Sequence, residues 1–186
     1  MRDQAPSTAS ELEALPGDLM IWVLIVSELL VFGAGLVAYA AVRATDPQGF
    51  AAAQESLHGT LGAINTAVLV TSGWLMALAV RFRAAGARGS ARLAIGGAAL
   101  LGAVFLGVKA VEYGHMITAG IGTETHAFFT FYYLLTGFHA AHVVAGIAIL
   151  GLVGWRDSPE NLETGAAFWH MVDLVWVLLF PVIYLL

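Results

Sequence analysis

The chain has 186 residues, of which 59% are hydrophobic and only 11% are charged, and its mean hydropathy is +0.82. This balance is far more apolar than that of soluble domains, so we predict an integral membrane protein. The chain has no cysteine, which excludes disulfides, thiolate metal sites and cysteine nucleophiles, and its net charge of -5 gives no basic surface for nucleic acid.

Residues 1–18 are polar and contain no apolar run of the kind that a signal peptide needs, so we predict a short tail. Five apolar segments follow, each long enough to cross a hydrocarbon core of ~30 Å as a helix, with short polar connections between them. We predict the spans at Leu19–Val42, Thr60–Val80, Ala91–Tyr113, His126–Gly154 and Gly165–Leu186. The predicted fold is an all-α polytopic membrane protein, with the tail at 1–18 and a single five-helix transmembrane bundle at 19–186.

Arginines are concentrated on one side of the predicted bundle. Four lie between the second and third spans, one lies in the tail and one lies between the fourth and fifth spans, whereas Arg43 lies on the opposite side. In membrane proteins the cytoplasmic connections hold the excess of lysine and arginine. We therefore predict a cytoplasmic N-terminal tail and a C-terminus on the outer side of the membrane.

Ionisable side chains inside the spans indicate function, because burying one in hydrocarbon costs at least ~2.5 kcal/mol. At a rise of ~1.5 Å per residue, Glu28 lies roughly 15 Å into the first span and Asp173 roughly 12 Å into the fifth. His139 and His142 lie near the middle of the fourth span, at a similar depth. We expect Glu28 to contact one of these histidines and to be neutral or share a proton with it, and His170 to pair with Asp173 one turn away.

A second polar group, formed by Lys109, Glu112 and His115, lies near the outer end of the third span. A lysine there can place its ammonium group at the membrane surface while its methylene carbons stay in the apolar region. We therefore expect this group to anchor the helix at the interface.

Three kinds of function fit these polar residues. A metal or haem site is suggested by the Glu-x-x-His spacing of Glu112 and His115 and by the two histidines of the fourth span, but a di-iron bundle needs a second such pair and two further glutamates. A proton relay or small transporter would use Glu28, the same two histidines and Asp173, although the outer halves of the first and fifth spans offer no titratable group to complete a path. In the third kind of function, the polar residues are structural and fix the register of the helices, and the bundle binds another membrane protein and its lipids. Composition does not choose among the three.

Five sequence stretches form a set that is more specific than any one of them. In chain order they are IWVLIVSELLVFGAGLVAY with Glu28, NTAVLVTSG with Asn65, VKAVEYGH with Glu112, YYLLTGFHAAHVVAGI with His139 and His142, and FWHMVDLVWVLLFPVIYLL with Trp169, His170 and Asp173. The set resembles subunit III of the haem-copper oxidases, whose closing helix carries Trp-His-x-x-Asp-x-x-Trp. It covers Ile21–Leu186, and the last span is most similar to the short branch associated with nitric oxide reductases.

The resemblance implies a non-catalytic accessory subunit without a redox centre or cofactor, in the cytoplasmic membrane of a bacterium. Such a subunit packs beside the catalytic, subunit I-like protein, binds phospholipids and supports proton uptake, and its carbodiimide-reactive glutamate corresponds to Glu28. Longer members carry two further N-terminal helices that form one arm of a lipid-filled cleft, whereas this sequence starts at the helix of Glu28. The resemblance therefore does not decide whether such a cleft exists here. His170 and Asp173 are expected to brace the fifth span near the lipid-binding and subunit-binding side. The residues expected to form the polar cluster or to contact lipid or the partner are Glu28, Asn65, Glu112, His139, His142, Trp169, His170 and Asp173.

Overall fold

The structure, a computed structural model, describes residues 19–156 and 158–186, and within these residues every regular element is a helix. The predicted tail, residues 1–18, lies outside the described residues. In chain order the helices are α1 (Leu19–Thr45), α2 (Pro47–Gln54), α3 (Gly59–Ala84), α4 (Arg88–Thr118), α5 (Ala127–Arg156) and α6 (Pro159–Tyr184).

The helices α1, α3, α4, α5 and α6 are all long and apolar enough to cross a membrane, which confirms the predicted class and the predicted spans. Most of them extend beyond the predicted bounds. The largest difference is at α6, which starts at Pro159 rather than at Gly165. Proline suits the first position of a helix, because its φ angle is already helical and its missing N–H would have no partner there. The polar residues after Pro159 hide this start, because they carry no apolar periodicity.

The short helix α2 was not predicted, although its start has a local signal. Asp46 accepts a hydrogen bond from the backbone N–H of Gly49 at 3.0 Å, and Pro47 occupies the first helical position. At the other end of α2, the Gln54 side chain donates to the carbonyl oxygen of Ile183 in the last turn of α6, at 3.1 Å. The helix therefore ties the connection after α1 to the C-terminal end of the bundle.

Helices α3 to α6 pack together, and α1 lies along α5 and α6. Helix α6 is the central element, since 56% of the residues in its apolar 18-residue stretch are buried, compared with at most 33% in the corresponding stretches of the other spans. The Trp169 ring of α6 is fully buried against Gly102 of α4 and Gly146 of α5, where a larger residue would overlap the ring. Consecutive spans run in opposite directions. We call the end that holds the C-terminus of α6 the Tyr184 end, and the end that holds the connection between α3 and α4 the Arg81 end.

Candidate functional site

Glu28 of α1 and His142 of α5 form an ion pair or hydrogen bond across the two helices, with 3.1 Å between Oε2 and Nε2. The other ring nitrogen, Nδ1, lies 2.9 Å from the carbonyl oxygen of Phe138. A carbonyl oxygen only accepts, so Nδ1 must carry a proton. One further proton then lies between Nε2 and Oε2, and the pair has no net charge whichever atom holds it. The predicted contact between Glu28 and a histidine of this span is therefore present.

His139, one turn earlier on α5, does not take part in this pair. Its side chain is fully buried, with ring centroids 5.5 Å from Phe105 and 5.2 Å from Trp176. Among the described residues neither ring nitrogen has a hydrogen-bond partner. His139 is thus an imidazole packed in an aromatic layer in the middle of the bundle.

Asn65 and Ser72 of α3 bind main-chain carbonyl groups of α4. Asn65 Nδ2 donates to the carbonyl oxygen of Phe105 at 3.2 Å, and Ser72 Oγ donates to that of Ala98 at 2.7 Å. Ser72 also accepts a hydrogen bond from Trp169 Nε1 at 3.1 Å, which connects α3, α4 and α6. Asn65 was predicted as a site residue, whereas Ser72 was missed, because serine is common in membrane helices and carries no distinctive spacing.

Lys109 is buried, so its predicted position at the membrane surface is wrong. Only 2% of the residue is exposed, and Nζ lies 3.0 Å from Glu112 Oε2. Nζ also donates to the hydroxyl groups of Tyr132 at 3.1 Å and Tyr184 at 2.8 Å, and Tyr184 donates to Glu112 Oε1 at 2.7 Å. The ammonium group lies 4.7 to 5.6 Å from the ring centroids of four aromatic side chains, close enough for cation–π attraction. Hydrogen bonds and aromatic rings from α4, α5 and α6 replace the water that the ammonium group would otherwise need.

His115 is exposed, and Glu112 points towards Lys109, so the Glu-x-x-His pair that the metal or haem alternative would use does not form. Within residues 19–156 and 158–186, no three side chains of the types His, Cys, Asp and Glu converge where a metal ion could be held. The described part of the chain therefore gives no support to the metal-site alternative.

His170 and Asp173 lie at ion-pair distance, as predicted, but no hydrogen bond closes the pair and His170 is not buried. The distance from His170 Nδ1 to Asp173 Oδ2 is 3.9 Å, beyond hydrogen-bond reach, and the His170 side chain is 46% exposed. Asp173 is only 12% exposed, and its carboxylate lies against Gly73 of α3, where no larger residue would fit. Residues three apart on a helix are neighbours but differ by roughly 60° in direction, and here Asp173 is turned towards the bundle while His170 is turned outwards.

His170 faces a groove at the Arg81 end of the bundle, with a volume of about 630 Å³. Residues of α1, α3 and α6 line this groove. Among the residues that the structure describes, the polar ones that line it are Arg81, Glu163 and His170, and the others are apolar or aromatic, among them Trp22 and Met171. An apolar groove with a few polar groups is typical of a small-molecule or lipid site.

A contact outside the spans joins the connection after α1 to the start of α5. His126 Nε2 lies 3.1 Å from Asp46 Oδ2, and His126 Nδ1 accepts the backbone N–H of Phe128 at 3.1 Å. The pKa of Asp46 is lowered below its ordinary value of 3.8, chiefly by the hydrogen bond from the Gly49 backbone N–H and then by the hydrogen bond to His126.

The Asp46→Ala variant is expected to lower the melting temperature at neutral pH, because both hydrogen bonds are lost. A carboxyl group with a lowered pKa in the folded state stabilises the fold above its ordinary pKa, and this effect is lost as the pH falls through the folded value. The difference in melting temperature between wild type and variant should therefore become smaller below pH 3.8. Melting temperatures of both proteins in detergent across pH 3 to 7 would check this, and a difference that is constant over the range would refute it.

Comparison with known proteins gives a consistent family relationship. The profile of the family described as cytochrome c oxidase subunit III matches residues 17–186. Cytochrome c oxidase subunit 3 of Thermostichus vulcanus is 33% identical over 178 residues, which cover 90% of this chain and 86% of the relative. Cytochrome bo(3) ubiquinol oxidase subunit 3 of Pseudomonas aeruginosa is 28% identical over 173 residues, covering 89% and 82%. A protein of Aeropyrum pernix named heme-copper oxidase subunit I+III is 31% identical over 186 residues, covering 89% of this chain and 22% of that protein.

Proposed function

The chain belongs to the cytochrome c oxidase subunit III family, and from this premise we propose that it stabilises the catalytic subunit of its complex and retains phospholipid beside it. It is an integral membrane protein and a non-catalytic accessory subunit of a haem-copper oxidase complex.

The partner that we propose is the catalytic subunit I. In the relative from Aeropyrum pernix, subunits I and III are named as one chain, which supports a close association of the two. The relatives include subunits of both a cytochrome c oxidase and a ubiquinol oxidase, so the electron donor of this complex is not specified by family membership. The assignment to the branch associated with nitric oxide reductases stays a prediction, as do the bacterial cytoplasmic membrane, the cytoplasmic N-terminus and the outward C-terminus.

One observation carries the proposal: the paired ionisable groups of the spans join helices of this chain to each other. The Glu28–His142 pair joins α1 to α5, and Lys109 with Glu112 joins α4 to α5 and α6. Among the described residues no hydrogen bond connects the two groups, and the aromatic layer of Phe105 and Trp176 lies around His139 between them. A proton relay needs a connected chain of donors and acceptors, so this arrangement supports a structural role over the relay or transporter alternative. In this role the subunit would support proton uptake indirectly, because it holds the helices of the partner and the lipid in place.

A tagged copy of this chain, purified in mild detergent from its native host, is expected to bring a haem-bearing subunit with it. The preparation should show a Soret absorption band, and mass spectrometry should identify the partner and so the class of oxidase. The same chain expressed alone should show no Soret band and no stoichiometric iron, copper or zinc. Haem that stays on the isolated chain after washing would contradict the accessory role.

A further inference from the structure

A second groove lies at the Tyr184 end of the bundle, away from the groove that His170 faces. Residues near the end of α1, the first residue of α2 and the end of α6 line it, and its volume is about 430 Å³. Among the described residues that line it, only Tyr39 and Arg43 carry polar side chains, and the others are apolar. Neither the Glu28–His142 pair nor the Lys109 group includes these two residues.

The hydroxyl group of Tyr39 is buried in this region without a hydrogen-bond partner. Only 2% of the residue is exposed, and its ring packs against Phe50 and Phe128 with centroid distances of 5.5 and 6.3 Å. Among the described residues no atom forms a hydrogen bond with the hydroxyl oxygen. A phenol carries a proton that needs an acceptor, and most buried polar side chains in proteins have a partner. The side of the groove formed by Tyr39 therefore calls for an acceptor.

Arg43 lies one turn after Tyr39 on the same face of α1, and its guanidinium group acts electrostatically on the Tyr39 hydroxyl group. Arginine only donates hydrogen bonds, so it cannot accept the hydroxyl proton. Within the part of the chain that the structure describes, no carboxylate lies at ion-pair distance from Arg43. Asp46, three residues away, is bonded to His126 and to the backbone N–H of Gly49. The groove thus presents one cation and one neutral donor, and no acceptor faces them.

These donors define the chemistry of a ligand that would complement them. A carboxylate has two oxygen atoms, which a guanidinium group binds bidentately, and its remaining lone pairs can accept the proton of Tyr39. A phosphate group has a further oxygen atom, for which the described lining offers no donor. The lining runs along α1 from Leu36 to Ala44, which is roughly 12 Å at ~1.5 Å per residue. Its volume lies at the small end of the range for ligand pockets, which favours a single narrow apolar chain.

We propose that this groove binds one long-chain fatty acid, with its carboxylate on Arg43 and Tyr39 and its acyl chain along Leu36 and Val182. Arg43 lies in the last turn of α1, so the carboxylate is near the membrane surface and the chain runs towards the middle of the bundle. This inference goes beyond the proposed function, because the site lies wholly within this chain and does not require the catalytic subunit.

The test uses the full chain in nanodiscs of phosphatidylcholine and three photoactivatable probes, namely palmitic acid, the corresponding alcohol and phosphatidic acid. Each probe carries a diazirine in its acyl chain, and mass spectrometry quantifies the labelled peptides of α1 and α6. Arg43→Gln removes the charge, Tyr39→Phe removes the hydroxyl group but keeps the ring, and Ala40→Trp fills the groove. Arg156→Gln is the matched control, since Arg156 also lies in the last turn of a helix but does not line this groove.

In the wild type and in Arg156→Gln, palmitic acid should label the groove in preference to both other probes. Arg43→Gln should lower this labelling by roughly tenfold, the scale of a lost charge-assisted interaction. Tyr39→Phe should lower it by roughly threefold, because Arg43 still binds the carboxylate. Ala40→Trp should reduce the labelling of these peptides to the level given by the alcohol.

Three outcomes would overturn the proposal. Equal labelling by palmitic acid and by the alcohol, or labelling that is unchanged in Arg43→Gln, would show that the carboxylate is not recognised. Labelling by phosphatidic acid that is as strong and as dependent on Arg43 would show that the site accepts a diacyl phosphate instead. Labelling by palmitic acid that Ala40→Trp does not reduce would show that the probe binds elsewhere, and that protein or bulk lipid covers the groove.

Discussion

The Lys109→Met variant is expected to be the most destabilised of the single variants considered, by about 3 to 5 kcal/mol, because it leaves a buried carboxylate without its charge partner. Glu112 is 3% exposed, and among the described residues its carboxylate would keep only the hydroxyl group of Tyr184 as a hydrogen-bond donor. Burying an unpaired charge is far less favourable than burying a paired one. Thermal melting of the purified protein in detergent measures the loss.

A double variant separates the charge effect from the loss of packing. Lys109→Met combined with Glu112→Leu removes both charges and should recover much of the stability, because apolar replacement of a whole buried ion pair is often neutral or favourable. Lys109 is the sole lysine in the sequence, so amine reagents provide a second measurement. Its ammonium group should react only after unfolding. Rapid labelling of the folded protein, together with an unchanged melting temperature in Lys109→Met, would show that Lys109 lies at the membrane surface after all.

The Gly146→Ala variant is expected to lose roughly 1 to 3 kcal/mol, the usual range for overpacking a tightly packed core. A Cβ atom there would lie 2.6 Å from two ring carbons of Trp169, and the ring cannot move away because Gly102 lies against its far edge. Gly151→Ala is a matched control on the same helix, since nothing lies within 4 Å of its added Cβ. That change should be neutral or stabilising, because alanine favours a helix over glycine by ~1 kcal/mol. Equal melting temperatures for the two variants would mean that Trp169 is not held between α4 and α5 as described.

The sequence predicts the spans well because each is a long apolar run, and such runs have one stable structure in a membrane. It predicts the contact of Glu28 with α5 because depth along a helix can be counted from the sequence. It does not choose between His139 and His142, which point roughly 60° apart around the same helix. That choice depends on the rotation of α5 against α1, which is determined by packing and not by residue spacing. The same argument applies to His170 and Asp173, of which only Asp173 faces the bundle.

Lys109 shows a different limit of sequence reasoning. Its position near the predicted end of the third span suggested that its ammonium group reaches the membrane surface, whereas in the structure Lys109 is buried nine residues before the end of α4. What buries it is Tyr132, 23 positions away, and Tyr184, 75 positions away in the sequence. Contacts at such separations have no local pattern. The unpredicted helix α2 is the opposite case, since Asp46 followed by Pro47 is a local start signal that a search for apolar runs passes over.

The central claim is that the intramembrane polar residues of this subunit stabilise the assembly and do not carry protons for the reaction. The most direct test is the initial turnover for each haem in complexes that carry Glu28→Gln or Asp173→Asn, measured together with the yield of the complex. Both substitutions keep the shape of the side chain and remove its charge. We predict reduced yield or retention of the subunit, with the turnover of each assembled complex unchanged in its first seconds. Full yield with turnover or proton uptake abolished from the start would contradict the account and make these residues part of a proton path.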